Sequence, residues 1–292
     1  MPRPNANTLE GSNVAAFLTA SPRARQRGFI DLGFERQASL WRNSDDRISY
    51  SAPEGHCFSF YAQGGMGTRR VDGAPVHGWA GAVCILPDGM DSEWEITDSF
   101  DFVHLYLSDA ELRRAFAETF DCDSRLMELT DETYFDAPWL AGHFLTIQQA
   151  TQSGNPVQAE EAVSELVHGV FAEGIGVTRR KRQLAGGLAP HLMRRIKDYV
   201  RADLSRTVTL HDLALLCDLS EFHLQRSFRA ALGLSPHAWI QRQRLEAAKT
   251  LIAKREPLAQ VASAVGFSNQ SHLSRTFKAQ TGLTPGAYAK LV

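Results

Sequence analysis

Hydrophobic and polar positions follow different periods in the two halves of this chain. Up to about Ser108, short runs such as "HCFSFY", "GAVCILP" and "FDFVHLYLS" are rich in β-forming residues and are separated by Gly, Pro and Asp clusters. Runs of this kind are typical of a small barrel or sandwich. Further along, apolar residues recur at helical spacing. The pattern predicts a β-rich N-terminal domain, two helices after it, and an all-α C-terminal domain.

The two helices that follow the β-rich region each carry an apolar stripe. A stripe of this width favours packing on the β domain and, equally, contact with a second subunit, so both arrangements stay open. The stripe residues are Leu140, Phe144 and Ile147 in the first helix, and Val163, Leu166, Val167, Val170 and Phe171 in the second.

The C-terminal region contains one structural unit twice. "HLQRSFRAALGLSPHAWI" begins at His223 and "HLSRTFKAQTGLTPGAYA" begins at His272, with half of the positions identical at an offset of forty-nine residues. Upstream, Ser220 matches Ser268 at an offset of forty-eight, so the second copy gains one residue in between. In each copy, helical spacing, a Ser before the second helix and a Gly after it predict a helix-turn-helix unit.

A single helix is predicted between the two copies, from about Pro236 to Ala253. At about 1.5 Å per residue, a helix of this length spans roughly 27 Å. It can therefore hold the two helix-turn-helix units about one turn of a DNA double helix apart.

Charge divides the chain in the same way as the hydrophobic pattern does. The net charge is only -2 over 292 residues, but Arg179 to Val292 contains 19 Lys and Arg against 7 Asp and Glu, a formal charge of +12, and the remainder carries -14. A basic C-terminal half predicts a polyanionic partner. The four cysteines are dispersed, and no run of about 20 apolar residues is present to span a membrane. We expect a cytoplasmic protein with reduced, packed thiols and no membrane partner.

The region from Leu210 to Tyr288 resembles the DNA-binding domain of AraC/XylS family transcription regulators. The resemblance rests on "RLEAAKTLI" from Arg244, on "LAQVASAVGFSNQSHLSRTFKAQTGLTPGAY" from Leu258, and on the matching first copy. It implies that two helix-turn-helix units enter successive major grooves of double-stranded DNA. It also implies contact with RNA polymerase and a homodimer. Ala289 departs from the family, where many members have Arg, which removes one phosphate contact.

The helical spacing predicts which side chains face DNA. With Leu224 and Phe228 buried in the first copy, and Leu273 and Phe277 in the second, the opposite face of each recognition helix points outward. Arg226 and Arg275 are expected to read bases, and the alternative for each is a contact with a phosphate or with another part of the same domain. The predicted DNA-binding residues are Phe222, Gln225, Arg226, Arg229, Asn269, Gln270, Ser271, His272, Arg275 and Lys278.

The β-rich domain resembles a cupin barrel in the stretch "GAVCILPDGMDSEWEI". Gly81, Pro87 and Gly89 stand at the places of the second cupin motif, but Ser92 replaces its metal-binding His, and no His-x-His pair precedes it. The sequence therefore predicts no metal and no cofactor. The domain is similar instead to the cupin-like effector domain that precedes the DNA-binding half in many AraC family members.

An effector, if one binds, is expected in the lumen of this domain. In "FVHLYL", one face is purely aliphatic, whereas the other mixes aromatic and polar groups and better suits a ligand. The alternative is an aromatic core that holds no ligand. The candidate effector-binding residues are Phe58, Phe60, Trp79, Trp94, His104 and Tyr106.

Together these patterns predict a multidomain, non-enzymatic transcriptional regulator, an effector-responsive activator. Two alternatives remain: an N-terminal domain that binds a protein partner, and a cupin enzyme fused to a DNA-binding module. The predicted divisions are 1–138 for the effector domain, 139–173 for the helical, dimerising segment, 174–189 for the linker and 190–292 for the DNA-binding domain, with helix-turn-helix units at about 209–232 and 257–281 and the linker helix at about 236–253.

Overall fold

The computed structural model describes residues 12–179 and 186–292, and the chain divides into two compact units. The β unit comprises Met1–Leu112 and Leu129–Thr178, and the helical unit comprises Arg113–Glu128 and Arg179–Val292. The segment Arg113–Glu128 therefore clusters with the C-terminal helices, although the sequence analysis placed it in the N-terminal domain. Part of the predicted linker, residues 180–185, lies outside the described residues.

The β unit is built from two facing antiparallel sheets. Over the described residues of the whole chain, the strands are β1 (Arg25–Gly33), β2 (Arg36–Asn43), β3 (Asp46–Tyr50), β4 (His56–Gln63), β5 (Thr68–Arg70), β6 (Ala82–Leu86), β7 (Ser92–Ile96), β8 (Phe100–Leu107), β9 (Met127–Leu129), β10 (Glu132–Asp136) and β11 (Val177–Arg179). Six of them form a sheet in the order β1-β2-β8-β4-β6-β10, and three form a second sheet in the order β3-β7-β5. Strands β9 and β11 make a two-stranded ladder. A largely aromatic core lies between the two larger sheets.

Strand β8 shows why both faces of the larger sheet are apolar. Successive side chains of a strand point to opposite faces. Phe102 and Tyr106 belong to the core between the sheets. The alternate residues Val103 and Leu105 are also buried, at 1% and 0% exposure. A strand buried on both faces needs a layer on each side of its sheet.

That outer layer is formed by two helices, α3 (Pro138–Ser153) and α4 (Pro156–Glu173), which pack on β1, β2 and β4. Four of the five stripe residues in α4 are buried inside the chain, and only Val167 is half-buried. The stripe is thus used for packing on the sheet. Two other helices of the chain are α1 (Val14–Ala20) and α2 (Asp109–Phe120), and a 3₁₀ turn covers Ser124–Leu126.

From residue 186 onward, where the structure describes it, the helical unit contains seven helices. They are α5 (Pro190–Ala202), α6 (Leu210–Cys217), α7 (Glu221–Leu232), α8 (Pro236–Ala253), α9 (Leu258–Ala264), α10 (Gln270–Thr281) and α11 (Pro285–Tyr288). Leu224, Phe228 and Trp239 are fully buried in the core of the first repeat. The Trp239 indole Nε1 donates a 3.1 Å hydrogen bond to Glu118, and Lys197 Nζ donates one of 2.6 Å to Asp121. These contacts explain why Arg113–Glu128 belongs to this unit.

Two expectations about the whole chain can be compared with the structure. All four cysteines are buried and free of disulfides, which confirms the prediction of packed thiols. Within the described ranges, no helix combines the length and the apolarity that a bilayer crossing requires.

Candidate nucleic-acid interface and β-unit cavity

The first repeat folds as a helix-turn-helix unit whose two helices have well-formed caps. Thr209 and Asp212 cap each other's backbone amides at the start of α6. Asp218 ends α6 in the left-handed conformation, with φ of 54°. Ser220 then caps α7 by accepting a 3.2 Å hydrogen bond from the amide of His223. These local signals fix the turn between α6 and α7 without help from distant residues.

The second repeat has the same plan with a longer turn. Gly266, with φ of 80°, takes the left-handed place of Asp218 at an offset of forty-eight residues. The cap of α10 is Asn269, which accepts a 2.8 Å hydrogen bond from the amide of His272. Asn269 lies forty-nine residues after Ser220, so the extra residue of the second copy lies in the turn, before the recognition helix starts.

Most of the predicted DNA-binding side chains lie on the exposed faces of α7 and α10. The side chains of these exposed residues make no hydrogen bond or ion pair within the described part of the chain. Phe222 is 75% exposed, which is unusual for a large aromatic side chain. The exposed residues are Phe222, Gln225, Arg226 and Arg229 on α7, and Gln270, Ser271, Arg275 and Lys278 on α10.

Two of the predicted DNA-binding residues already have partners inside the second repeat. The Asn269 side chain caps α10, and His272 is half-buried, with its Nδ1 3.1 Å from Ser268 Oγ and its ring edge-on to Phe267. Their side chains therefore stabilise the start of α10. Their contact with DNA stays a prediction.

An arginine on the linker helix holds the second repeat in place. The guanidinium of Arg244 donates hydrogen bonds to the carbonyl oxygens of Leu204, Arg206 and Gly266, at 3.1, 2.9 and 2.9 Å. Burial lowers the pKa of Arg244 from its usual value. One side chain on α8 thus joins the loop before α6 to the turn before α10.

A cavity that is partly open to solvent lies between the two sheets of the β unit. The space between its wall atoms, solvent at the opening included, is about 380 Å³. The wall has no side chain that is charged at neutral pH, provided that His104 is neutral, and burial lowers the pKa of His104 to about 3. The wall residues are Leu18, Asn43, Ile48, Tyr50, Ser59, Tyr61, Cys84, Leu86, Trp94, Ile96, Phe100, Phe102 and His104.

The structure places the six candidate effector residues in three different positions. Trp94 and His104 line the cavity. Tyr106 lies on the same face of β8 and bonds to His104, and Trp79 is half-buried against the core and Tyr134. Phe58 and Phe60 do not line the cavity.

Phe58 and Phe60 do not lie on the cavity face, contrary to their expected place in the lumen, because alternate side chains of β4 point to opposite faces of the sheet. Phe60 lies on the outer face of the sheet, where its ring stacks on Phe144 of α3 at 5.2 Å. Phe58, two residues earlier on β4, lies on the same face of the strand. Ser59 and Tyr61 line the cavity instead, and Ser59 pairs directly with His104 in the sheet register. The pairing of β4 with β8 would have identified these residues, but it is not visible in the sequence.

Ser92, which stands at the place of the metal-binding His in the motif that the sequence resembles, has a structural role. Ser92 Oγ accepts a 3.0 Å hydrogen bond from the indole Nε1 of Trp94. A neutral hydroxyl without neighbouring imidazoles does not fit the donor set of a metal site. Within the described residues, no group of three or more His, Cys, Asp or Glu could hold a metal ion.

Comparison with known proteins supports the reading of the helical unit. Residues 213–291 match the helix-turn-helix domain family. The probable transcriptional regulator LumQ of Photobacterium leiognathi is 36% identical over 77 residues, 26% of this chain and 31% of that protein. The C-terminal region is an AraC-type helix-turn-helix domain.

Two further similarities have different extents. The regulatory protein PocR of Salmonella typhimurium is 32% identical over 88 residues, 29% of this chain and 29% of that protein. The structure of ToxT from Vibrio cholerae aligns at 13% identity over 88% of this chain and 99% of that chain, with a TM-score of 0.38. The chain thus spans about a third of the length of the curated relatives it matches.

Proposed function

We propose that the protein is a sequence-specific DNA-binding transcriptional regulator. The observation that carries the proposal is the pair of recognition helices, α7 and α10, whose exposed Arg, Gln and Lys side chains have no partner within the described residues. Arg pairs with guanine and Gln with adenine through two hydrogen bonds each. Side chains held on capped helices, with no internal partner, suit that task.

The charge of the same region supports DNA as the partner. Arg179 to Val292 carries +12 by formal charge, whereas the rest of the chain carries -14. A polyanion gains affinity from such a surface through counterion release, and base contacts then add specificity. The β unit offers no comparable basic surface by composition.

A small-molecule effector in the cavity of the β unit is the second part of the proposal. The cavity lies between two sheets and has a few polar side chains, among them Asn43, Ser59 and His104, in a mostly apolar and aromatic wall, the composition expected of a ligand site. The proposal includes no catalytic step, since Ser92 takes the place of a metal ligand. The alternative of a protein partner would not require the cavity at all.

The remaining partners are proposed on narrower grounds. An activator must contact RNA polymerase, and transcription takes place in the cytoplasm. A homodimer would have to use what α3 and α4 leave exposed, mainly Leu145 at 51% exposure, because their stripes are buried in the chain. Light scattering at tens of micromolar protein tests this: a mass of one chain contradicts the dimer.

Selection of bound duplexes from random DNA by the full-length protein tests the central proposal. We expect enrichment of one motif with two separate elements, and competition by unselected DNA that is at least a thousandfold weaker. The matched control is a variant with both Arg226→Ala and Arg275→Ala, which should select no motif. Failure of the wild type to enrich any sequence would contradict the proposal.

A further inference from the structure

The polar groups of the β-unit cavity form a chain of hydrogen bonds that starts outside it. Trp41 Nε1 donates a 3.0 Å hydrogen bond to the hydroxyl of Tyr106, and that hydroxyl lies 3.1 Å from His104 Nδ1. All three side chains are at most 5% exposed. Because an indole nitrogen only donates, the Tyr106 oxygen is the acceptor of the first bond.

This chain determines the tautomer of His104. If Nδ1 carried the proton, the buried hydroxyl hydrogen of Tyr106 would have no acceptor, which is unfavourable. Tyr106 therefore donates to Nδ1, and Nε2 carries the hydrogen. Burial keeps the ring neutral, with a pKa of about 3.

Three polar groups of the cavity wall have no hydrogen-bond partner in the described part of the chain: the hydroxyl of Tyr50 and, side by side, His104 Nε2 and Ser59 Oγ. Neither His104 Nε2 nor Ser59 Oγ has a hydrogen-bond partner in the described part of the chain, although both residues are only 3% exposed. Among the described residues, no fully enclosed side-chain nitrogen or oxygen lacks a partner, so these two atoms must open onto free space. Both residues line the cavity, and they are directly paired across β4 and β8.

The rest of the wall restricts what could bind there. It contains Trp94, Phe100 and Phe102, and it has no charged group to compensate a carboxylate or phosphate. A sugar would leave most of its hydroxyls without hydrogen-bond partners, because the wall has few polar groups. Aromatic walls instead favour a flat ring through stacked and edge-on contacts.

The size of the cavity restricts the ligand further. The cavity has an internal volume of only about 30 Å³, room for about two waters and far below the roughly 300 Å³ of an ordinary small-molecule site. A ligand of one ring must therefore displace water and move wall side chains such as Leu18.

We infer that the cavity binds a neutral, single-ring aromatic molecule whose carbonyl or hydroxyl oxygen accepts a hydrogen bond from His104 Nε2 beside Ser59. This inference rests on the proposed function, of which it specifies the effector class. Such a ligand satisfies His104 Nε2 and Ser59 Oγ with one oxygen and places its ring against the aromatic wall. No charged group on the ligand is needed.

Binding of four probes to the full-length protein without DNA tests the inference. Acetophenone should raise the thermal midpoint and give saturation-transfer signals. Ethylbenzene, which lacks the carbonyl oxygen, should bind about tenfold more weakly. Benzoate and glucose should not bind at millimolar concentration. Binding of benzoate or glucose at least as tight as that of acetophenone, or no binding of acetophenone, would overturn the inference.

Variants identify the site of binding. Ser59→Ala and His104→Phe should each weaken the binding of acetophenone about tenfold. Ser39→Ala is the matched control, since Ser39 is a buried serine in the same cross-strand row that does not line the cavity. If His104→Phe does not fold, Ser59→Ala alone decides: unchanged affinity overturns the site. DNA selection with the same protein keeps the two claims separate, because intact DNA binding without acetophenone binding overturns only the ligand class.

Discussion

Arg244 Nη1 donates a 2.9 Å hydrogen bond to the carbonyl oxygen of Gly266. Arg244 lies on the linker helix α8, and Gly266 lies in the turn that leads to the second recognition helix. The same guanidinium bonds to Leu204 and Arg206, which precede the first helix-turn-helix unit. The two repeats are thus held to one rigid helix by contacts as well as by chain connectivity.

Replacing Gly266 tests this junction. A Cβ at Gly266 would lie 2.3 Å from the carbonyl oxygen of Leu204 and 2.8 Å from the Arg244 guanidinium. Gly266→Ala should therefore lower the free energy of unfolding of the helical unit by about 2 to 4 kcal/mol, from the clash and from its φ of 80°. Gly282→Ala is the control, with φ of 75° but open space around it. Gly282→Ala should lower the free energy of unfolding, measured in urea, by only about 1 kcal/mol. Equal losses would show that the junction is not tightly packed.

Arg226 and Arg275 should each determine one base pair. Both are exposed, unpartnered and equivalent in the two repeats. Arg275→Ala should reduce affinity for the selected site by about 1 to 3 kcal/mol and relax preference at one position, which fluorescence anisotropy against single-base variants measures. Arg226→Ala should relax a different position. Uniform weakening on all sequences would assign the residue to a phosphate contact instead.

Lys278 should contribute to affinity without affecting sequence preference. It lies exposed in the last turn of α10. Lys278→Ala should reduce the slope of log affinity against log salt by about one unit, because one fewer counterion is released. The control is Arg23→Ala, an exposed cation of the β unit, which should leave the slope unchanged. A slope equal to that of the wild type for Lys278→Ala would remove this residue from the interface.

His104 should make the stability of the β unit depend on pH. Its pKa falls from an ordinary 6.5 to about 3 in the folded protein because of burial. The unfolded chain therefore binds a proton that the folded chain excludes, so stability is full above about pH 6.5 and falls as the pH drops towards 3. Between pH 7.5 and 5.0 the wild type should lose about 2 kcal/mol more than His104→Gln. Parallel curves of unfolding free energy against pH would show that folding does not lower the pKa of His104.

The sequence predicted the elements whose signals are local. Caps such as Ser220, the left-handed position at Asp218 and the buried stripe through Leu224 and Phe228 all depend on residues within one or two turns. The recognition faces could therefore be read from helical spacing. The face of β8 that carries His104 was likewise visible from alternation along one strand.

What the sequence did not reveal depends on distant pairing. Phe58 and Phe60 alternate as regularly as Ser59 and Tyr61, and only the packing of α3 decides which pair turns away from the cavity. The segment Arg113–Glu128 joins the helical unit through Glu118 and Asp121, whose partners lie more than seventy residues away. Neither relationship produces a periodic pattern in the amino-acid sequence.

The spacing of the two DNA elements tests the account most directly. Two helix-turn-helix units fixed to α8, which spans about 27 Å over its eighteen residues, require two elements about 10 bp apart on one face of the duplex. Inserting about 5 bp between the elements of the selected site turns one of them half a turn away. The affinity of the full-length protein, measured by fluorescence anisotropy, should then fall towards its value for unselected DNA, and a 10 bp insertion should not restore it, because the helix cannot lengthen. An unchanged affinity after the 5 bp insertion would contradict the account, because only one of the two units would then read DNA.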